Sequence, residues 1–140
     1  SGSVAGRIAD LKTPSRGFNA VGTAVQIKDI EGRKAFVFNG TQKFESDFGL
    51  PTTIKGNAPY SFSAWVLAQS TPNENECIID VNESYNELSK IILGYGTSPR
   101  SGITMHYGWY EDMGLSSLPT VNTWNHIVVT FDGYLSGRRR

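Results

Sequence analysis

Two stretches, Tyr60-Ser-Phe-Ser-Ala-Trp-Val66 and Trp124-Asn-His-Ile-Val-Val-Thr-Phe-Asp-Gly133, decide the fold of this chain. Each alternates large apolar residues with small or polar ones at a period of two. That is the repeat of a β-strand, in which successive side chains point to opposite faces. In the first, Tyr60, Phe62, Ala64 and Val66 share one face, and Ser61, Ser63, Trp65 and Leu67 the other. In the second, Trp124, His126, Val128 and Thr130 lie opposite Asn125, Ile127, Val129 and Phe131. Apolar groups on both faces mark two central strands, one face in a core and the other lining a partly covered concavity. Asp132-Gly133 then reads as a turn, in which the Asp side chain caps its own backbone.

Strand signals recur outward from these two segments. Ala24 to Lys28 is a short strand that Asp29-Ile-Glu-Gly32 turns. Lys34 to Phe38 is another, Asn39-Gly40 is a hairpin signal, and Thr41 to Ser46 is the return strand. Further strands are expected at Glu76–Val81, Ile91–Tyr95 and Gly102–Trp109, with loops at 47–59, 69–75, 82–89 and 96–101 and an irregular stretch at 111–122. The single helical expectation is a short piece at Val4–Lys12, limited by Gly6 and by Thr13-Pro-Ser15. Short strands with turns every ~8–12 residues predict an all-β, two-sheet antiparallel sandwich of jelly-roll type.

Size and charge narrow the function classes. A length of 140 residues suits one domain, 1–140, around one core. With 13 basic and 13 acidic residues the formal net charge is zero, and no sustained basic patch is present, which argues against nucleic acid as a partner. The run Arg138-Arg-Arg140 reads as an exposed terminus. No apolar run approaches the ~18 residues of a membrane helix, so membrane insertion is not expected. Cys77 is the one cysteine, which excludes an intramolecular disulfide. Beside Ile78 and Ile79 it is expected to be a buried, inert thiol.

These residues resemble a known family. Tyr60–Val66 and Trp124–Gly133, preceded by Ala35-Phe-Val-Phe-Asn-Gly40, are similar to the motifs of the laminin-G-like branch of the concanavalin A-like lectin/glucanase superfamily. Gly94-Tyr-Gly-Thr-Ser98, and His106-Tyr-Gly108 with Asp112-Met-Gly114, resemble the variety found in large secreted bacterial proteins. The resemblance runs from about Lys34 to Gly133. It implies a concanavalin A-like jelly roll serving as a non-catalytic carbohydrate-binding or adhesion module, secreted, periplasmic or on the cell surface, with a glycan or an extracellular protein as partner. The family pattern continues beyond Asp-Gly with further strands. The resemblance therefore implies a C-terminally incomplete domain, whose sheet a missing segment or a partner chain completes. The family often holds calcium on loop oxygens, which makes Asp47, Asp112 and Asp132 candidate ligands.

The richest candidate site in the sequence is Met105-His-Tyr-Gly-Trp-Tyr-Glu-Asp-Met113. Flat aromatic faces with polar tips suit stacking on a sugar, and neighbouring carboxylates can accept from its hydroxyls. The expected contacts are His106, Tyr110, Glu111 and Asp112, with Trp109 as either platform or core. The bland alternative puts Tyr107 and Trp109 in the core and leaves the rest as a loop. His106 and His126 have no partner at metal-ligand spacing, and His126 is expected to be a strand histidine satisfied by a neighbour's backbone. Enzymatic activity is not expected. Glu45-Ser-Asp47 begins a glycosidase-like series of carboxylates, but no third acid follows it. No nucleophile elbow or phosphate loop is present. Two readings stand beside glycan binding: a structural or protein-interaction domain, and a hydrolase whose carboxylates meet only in three dimensions. Asn39-Gly-Thr41 and Asn82-Glu-Ser84 are formal glycosylation sequons, and Asn39 is better explained by its turn.

Overall fold

The computed structural model describes residues 3–49, 51–54, 58–73, 76–81, 91–95, 102–107, 111–115 and 117–132, with the backbone alone at 91–93, 103–107 and 111–113. All regular structure in these residues is β-strand apart from a 3-10 turn at Thr52–Ile54. The strands are β1 (Ser3–Ala5), β2 (Arg7–Ala9), β3 (Gly17–Val21), β4 (Val25–Ile30), β5 (Arg33–Val37), β6 (Lys43–Ser46), β7 (Tyr60–Leu67), β8 (Cys77–Val81), β9 (Ile91–Tyr95), β10 (Ile103–Tyr107), β11 (Glu111–Gly114) and β12 (Trp124–Phe131). Every pairing among them is antiparallel. The chain divides into two compact units, Ser1–Gly49 and Leu50–Arg140.

The first unit holds two three-stranded sheets, ordered β1-β4-β5 and β2-β3-β6. The chain passes from one to the other at Gly6, at residues 22–24 and at residues 38–42. One hairpin is tight. Ile30 pairs with Arg33 across Glu31-Gly32, both at positive φ (53° and 76°), the signature of a type I′ turn. The Asp29 carboxylate accepts the Gly32 N–H at 2.9 Å and holds that turn.

Three expectations are corrected in this unit. Val4–Lys12 is not helical: Val4 lies in β1 and Ile8 in β2, and pairing with β4 and β3 overrides the local pattern. Asn39-Gly40 is a turn but not a hairpin, because β5 pairs with β4 and β6 with β3. The turn carries the chain between sheets. Strand β3, where no strand was expected, supplies the partner that β6 needs.

In the second unit β7 and β12 pair with each other over their full eight-residue lengths, from Tyr60↔Phe131 to Leu67↔Trp124. The other sheet runs β11-β10-β9-β8. Glu111–Gly114, expected to be irregular, is its edge strand among the described residues, because β10 offers it a backbone partner. The core sits between the layers. Tyr60 and Ile127 are buried, with Phe62, Val66, Val129 and Phe131 around them, and Ile78 and Ile79 of β8 and Ile54 pack against the cluster. Tyr60 stacks obliquely on Phe62 and Phe131, each at 5.1 Å between ring centroids. The two strands singled out from the sequence thus form one ribbon, and its Tyr60–Ile127 face is the floor of an all-β sandwich.

Cys77 is a further correction: it is exposed. The register of β8 slips between Cys77 and Ile79, a bulge that leaves Ile78 and Ile79 both half-buried and Cys77 on the solvent side.

Gly94 is buried opposite Cys77 at this bulge. A Cβ there would stand 2.6 Å from the Glu76 carbonyl oxygen and 3.3 Å from the Cys77 Cα, both backbone atoms. Gly94→Ala is expected to force β8 and β9 apart and to lower stability by about 1–3 kcal/mol, the range for overpacking. Urea unfolding of the two proteins side by side checks this, and an unchanged midpoint would refute the close approach.

Candidate functional site

The register that buries Tyr60 and Ile127 turns the alternate residues outward. Ser61, Ser63 and Trp65 of β7 come up beside Thr130, Val128 and His126 of β12 in directly opposed pairs. All six are exposed. Trp65 is 50% and Val128 54% exposed, so two large apolar side chains of the longest strands meet solvent on this face.

The end of this face near Trp65 is ordered by two contacts. The Trp65 and His126 rings stack with centroids 4.6 Å apart and 13° between planes. The His126 Nε2 and Ser63 Oγ atoms are joined by a 2.9 Å hydrogen bond. One bond therefore fixes the imidazole, and the imidazole fixes the indole. His126 has its expected strand position, but its partner is a side-chain hydroxyl rather than backbone. Beyond the rings, the Ser63 and Ser61 hydroxyls follow at strand spacing, about 7 Å apart, and Thr130 faces Ser61. The result is a flat aromatic platform continued by a row of hydroxyls.

A serine hydroxyl bonded to an imidazole is also the opening geometry of a nucleophile and its base. Such a pair needs a group to orient the imidazole and donors for an oxyanion. Here the imidazole also lies flat on the Trp65 ring, so the pair is one part of a stacked aromatic surface.

Of the residues singled out from the sequence, the described ones lie outside this ribbon face. Trp109 and Tyr110 are outside the described residues. His106 is in β10, and Glu111 and Asp112 are in β11. The backbone register sets His106 opposite Asp112 and Tyr107 opposite Glu111. Positions 106 and 112 thus share one face of the hairpin, and positions 107 and 111 share the other. His106 and Asp112 are brought together, and Glu111 is placed apart from them.

Of the calcium candidates, Asp132 is exposed just past β12, and Gly133 of its expected turn lies outside the described residues. Asp47 is fully engaged. Its Oδ1 accepts the Gly17 N–H at 2.8 Å, and its Oδ2 accepts from Arg7 Nη2 at 3.0 Å and Nε at 3.4 Å. Arg7 Nη2 also donates to the Ser15 carbonyl, so one carboxylate and one guanidinium tie β2, β3 and the end of β6 together. The Gly17 N–H, followed by the Arg7 charge, holds the Asp47 carboxyl below the usual carboxylate range against a partial desolvation that pushes the other way. Among the described residues no three His, Cys, Asp or Glu side chains gather as a metal site would require. No described helix is long and apolar enough to cross a membrane.

Comparison with known families agrees with this architecture. Residues 38–139 match a laminin-G family profile described as concanavalin A-like lectin/glucanases superfamily. The match covers well over half of the chain and contains β6 to β12, and the chain belongs to that superfamily. Neither curated proteins nor solved structures gave a match.

The state of Asp47 sets an acid limit. Because its folded pKa is lowered, its contribution is fully present above the unfolded value of about 3.9 and is lost as pH falls through the folded value. Urea unfolding at neutral pH and near pH 3 is expected to show a steeper acid loss for the native chain than for Asp47→Asn, which has no such charge to lose. Identical acid losses would remove Asp47 from this role.

Proposed function

We propose that this domain is a non-catalytic carbohydrate-binding module of a secreted or cell-surface protein, and that sugar is taken on the outward face of the β7–β12 ribbon. Membership of the superfamily supports a carbohydrate-binding or adhesion-type role in an extracellular setting. The observation that carries the choice of face is the half-exposed Trp65 ring held by His126 and Ser63. A pyranose presents an apolar patch of C–H bonds edged by hydroxyls. An indole matches the patch, and the hydroxyls of Ser61, Ser63 and Thr130, able both to donate and to accept, match the edge. The rings are restrained before any ligand arrives, which lowers the ordering cost of binding.

His106 and Asp112, opposed across β10 and β11, form a second proposed contact. Calcium belongs to the proposal only through the carboxylates of Asp112 in β11 and Asp132 just past β12, because the six residues of the ribbon face include no carboxylate.

A glycan array, run with calcium and with chelator, tests the reading. Binding is expected in both conditions. It is expected to weaken by about 30-fold or more on Trp65→Ala, the ~2 kcal/mol of a hot-spot residue. A smaller loss is expected on Ser63→Ala, which frees His126. Binding that disappears only in chelator would move the site to the loops. Silence across plant, host and microbial glycans, from protein shown to be folded, would favour protein adhesion through the apolar part of the face at Trp65 and Val128.

A further inference from the structure

The turn at Asn39-Gly-Thr41, independent of the carbohydrate reading, holds its asparagine in an unusual way. The Asn39 Oδ1 accepts two hydrogen bonds from one residue, the Thr41 N–H at 3.1 Å and the Thr41 Oγ–H at 2.8 Å. The Asn39 N–H in turn donates to Gln42 Oε1 at 3.3 Å. Gln42 Nε2 donates to the Thr23 hydroxyl at 2.9 Å and the Ala24 carbonyl at 3.0 Å. Two of the crossings between the sheets of the first unit are stapled together in this way. Gly40 has φ 86°, and a Cβ built on it would meet nothing within 4 Å. Asn39 is exposed, so solvent hydroxide has access to the peptide that follows it.

We propose that Asn39 is a self-modification site, at which the turn converts the asparagine to isoaspartate with water as the only co-reactant. The Gly40 amide gives its proton to hydroxide, and its nitrogen attacks the Asn39 side-chain carbon. Negative charge then develops on Oδ1, where the two Thr41 donors already point at the distances an oxyanion hole uses. The carbon–nitrogen bond to the side-chain amide breaks, and that nitrogen takes a proton from water and leaves as ammonia. A five-membered succinimide remains. Water opens it at the side-chain carbonyl to give aspartate, or at the main-chain carbonyl to give isoaspartate. The sum is one amide and one water giving one carboxylic acid and one ammonia, with no change of oxidation state. Gly40 is the residue this step needs, because a side chain on the attacking residue would crowd the ring as it closes.

The product has consequences at this place in the fold. An isoaspartyl linkage inserts one more carbon into the main chain between β5 and β6. It also places a carboxylate in a turn whose donors were set for an amide.

The experiment incubates the folded protein at mildly alkaline pH beside a free peptide spanning residues 36–44. Peptide mapping follows isoaspartate at position 39, and an assay follows released ammonia. Severalfold faster conversion in the folded protein than in the peptide is expected. Thr41→Val, which loses the hydroxyl donor, is expected to slow it to the peptide's rate or below, and Thr41→Ser to keep it, with circular dichroism confirming the fold of each variant. A folded protein slower than the peptide, or a Thr41→Val rate equal to the native one, would overturn the proposal and make the turn a shield for Asn39. Should Thr41→Val fail to fold, the comparison of native protein with peptide decides alone.

Discussion

The register between β7 and β12 is the constraint on which the second unit depends. Because side chains alternate strictly, a slip of one residue on either strand would send Ile127 or Tyr60 to solvent and bring His126 or Trp65 inward. The penalty is large on both sides. The core would lose the Tyr60–Phe62–Phe131 ring cluster. It would gain an imidazole whose Ser63 partner had moved away, and an unpaired buried polar group is costly. The same pairing that closes the core therefore assembles the aromatic pair on the outer face. Core and candidate site are two sides of one hydrogen-bonded ladder.

The first unit depends on a different device, the repeated passage of the chain between two small sheets. Short strands of three to six residues bury little surface, and Val25 is its one fully buried large side chain among the described residues. Polar bonds at the turns take a correspondingly larger share. Asp10 caps the β2–β3 turn through the Lys12 and Thr13 N–H groups, Asp47 joins β2, β3 and the end of β6, and Gln42 joins two crossings. Bonds of this kind between partly exposed groups contribute modestly one by one. They act by restricting which way the chain can leave each strand.

What was legible in the sequence follows from the range of each signal. Alternation is local, and Tyr60–Leu67, Ile91–Tyr95 and Trp124–Phe131 were read nearly to the residue. The division of side chains between the faces of β7 and β12 was also read correctly, but not their expected place as central strands over a partly covered concavity: among the described residues they pair only with each other and the outer face is exposed. Pairing is not local. Asn39-Gly40 has the chemistry of a hairpin turn, yet β5 was already committed to β4 through Glu31-Gly32, so the turn had to lead elsewhere. The segment from Val4 to Lys12 has apolar residues at Val4, Ile8 and Leu11, a helical spacing, and only the long-range partners β3 and β4 decide against it. The Trp65–His126 platform was hidden for the same reason. The two residues are 61 positions apart, and nothing in either segment says that Trp65 stands opposite His126 until the register is known. By contrast Met105–Met113 looks rich because its rings and acids are adjacent in sequence, and adjacency in a strand divides side chains between two faces.

The exposed indole is the remaining point of physical tension. Leaving half of Trp65 in water forgoes burial of one of the two largest apolar side chains in the ribbon, and a sandwich of this size has little stability to spare. Neighbouring groups do not hide the ring; they hold it still. Stacking on His126 covers the indole partly, and the Ser63 bond keeps the imidazole flat against it. A ring left out by default would keep its rotamer freedom, and a ring meant for the core would have taken the place of Ala64 or Val66 on the other face. A large flat surface that is both exposed and restrained is costly for folding and advantageous for binding, because the entropy of ordering it is spent before a ligand arrives. That asymmetry is the physical ground for proposing this face as the binding surface.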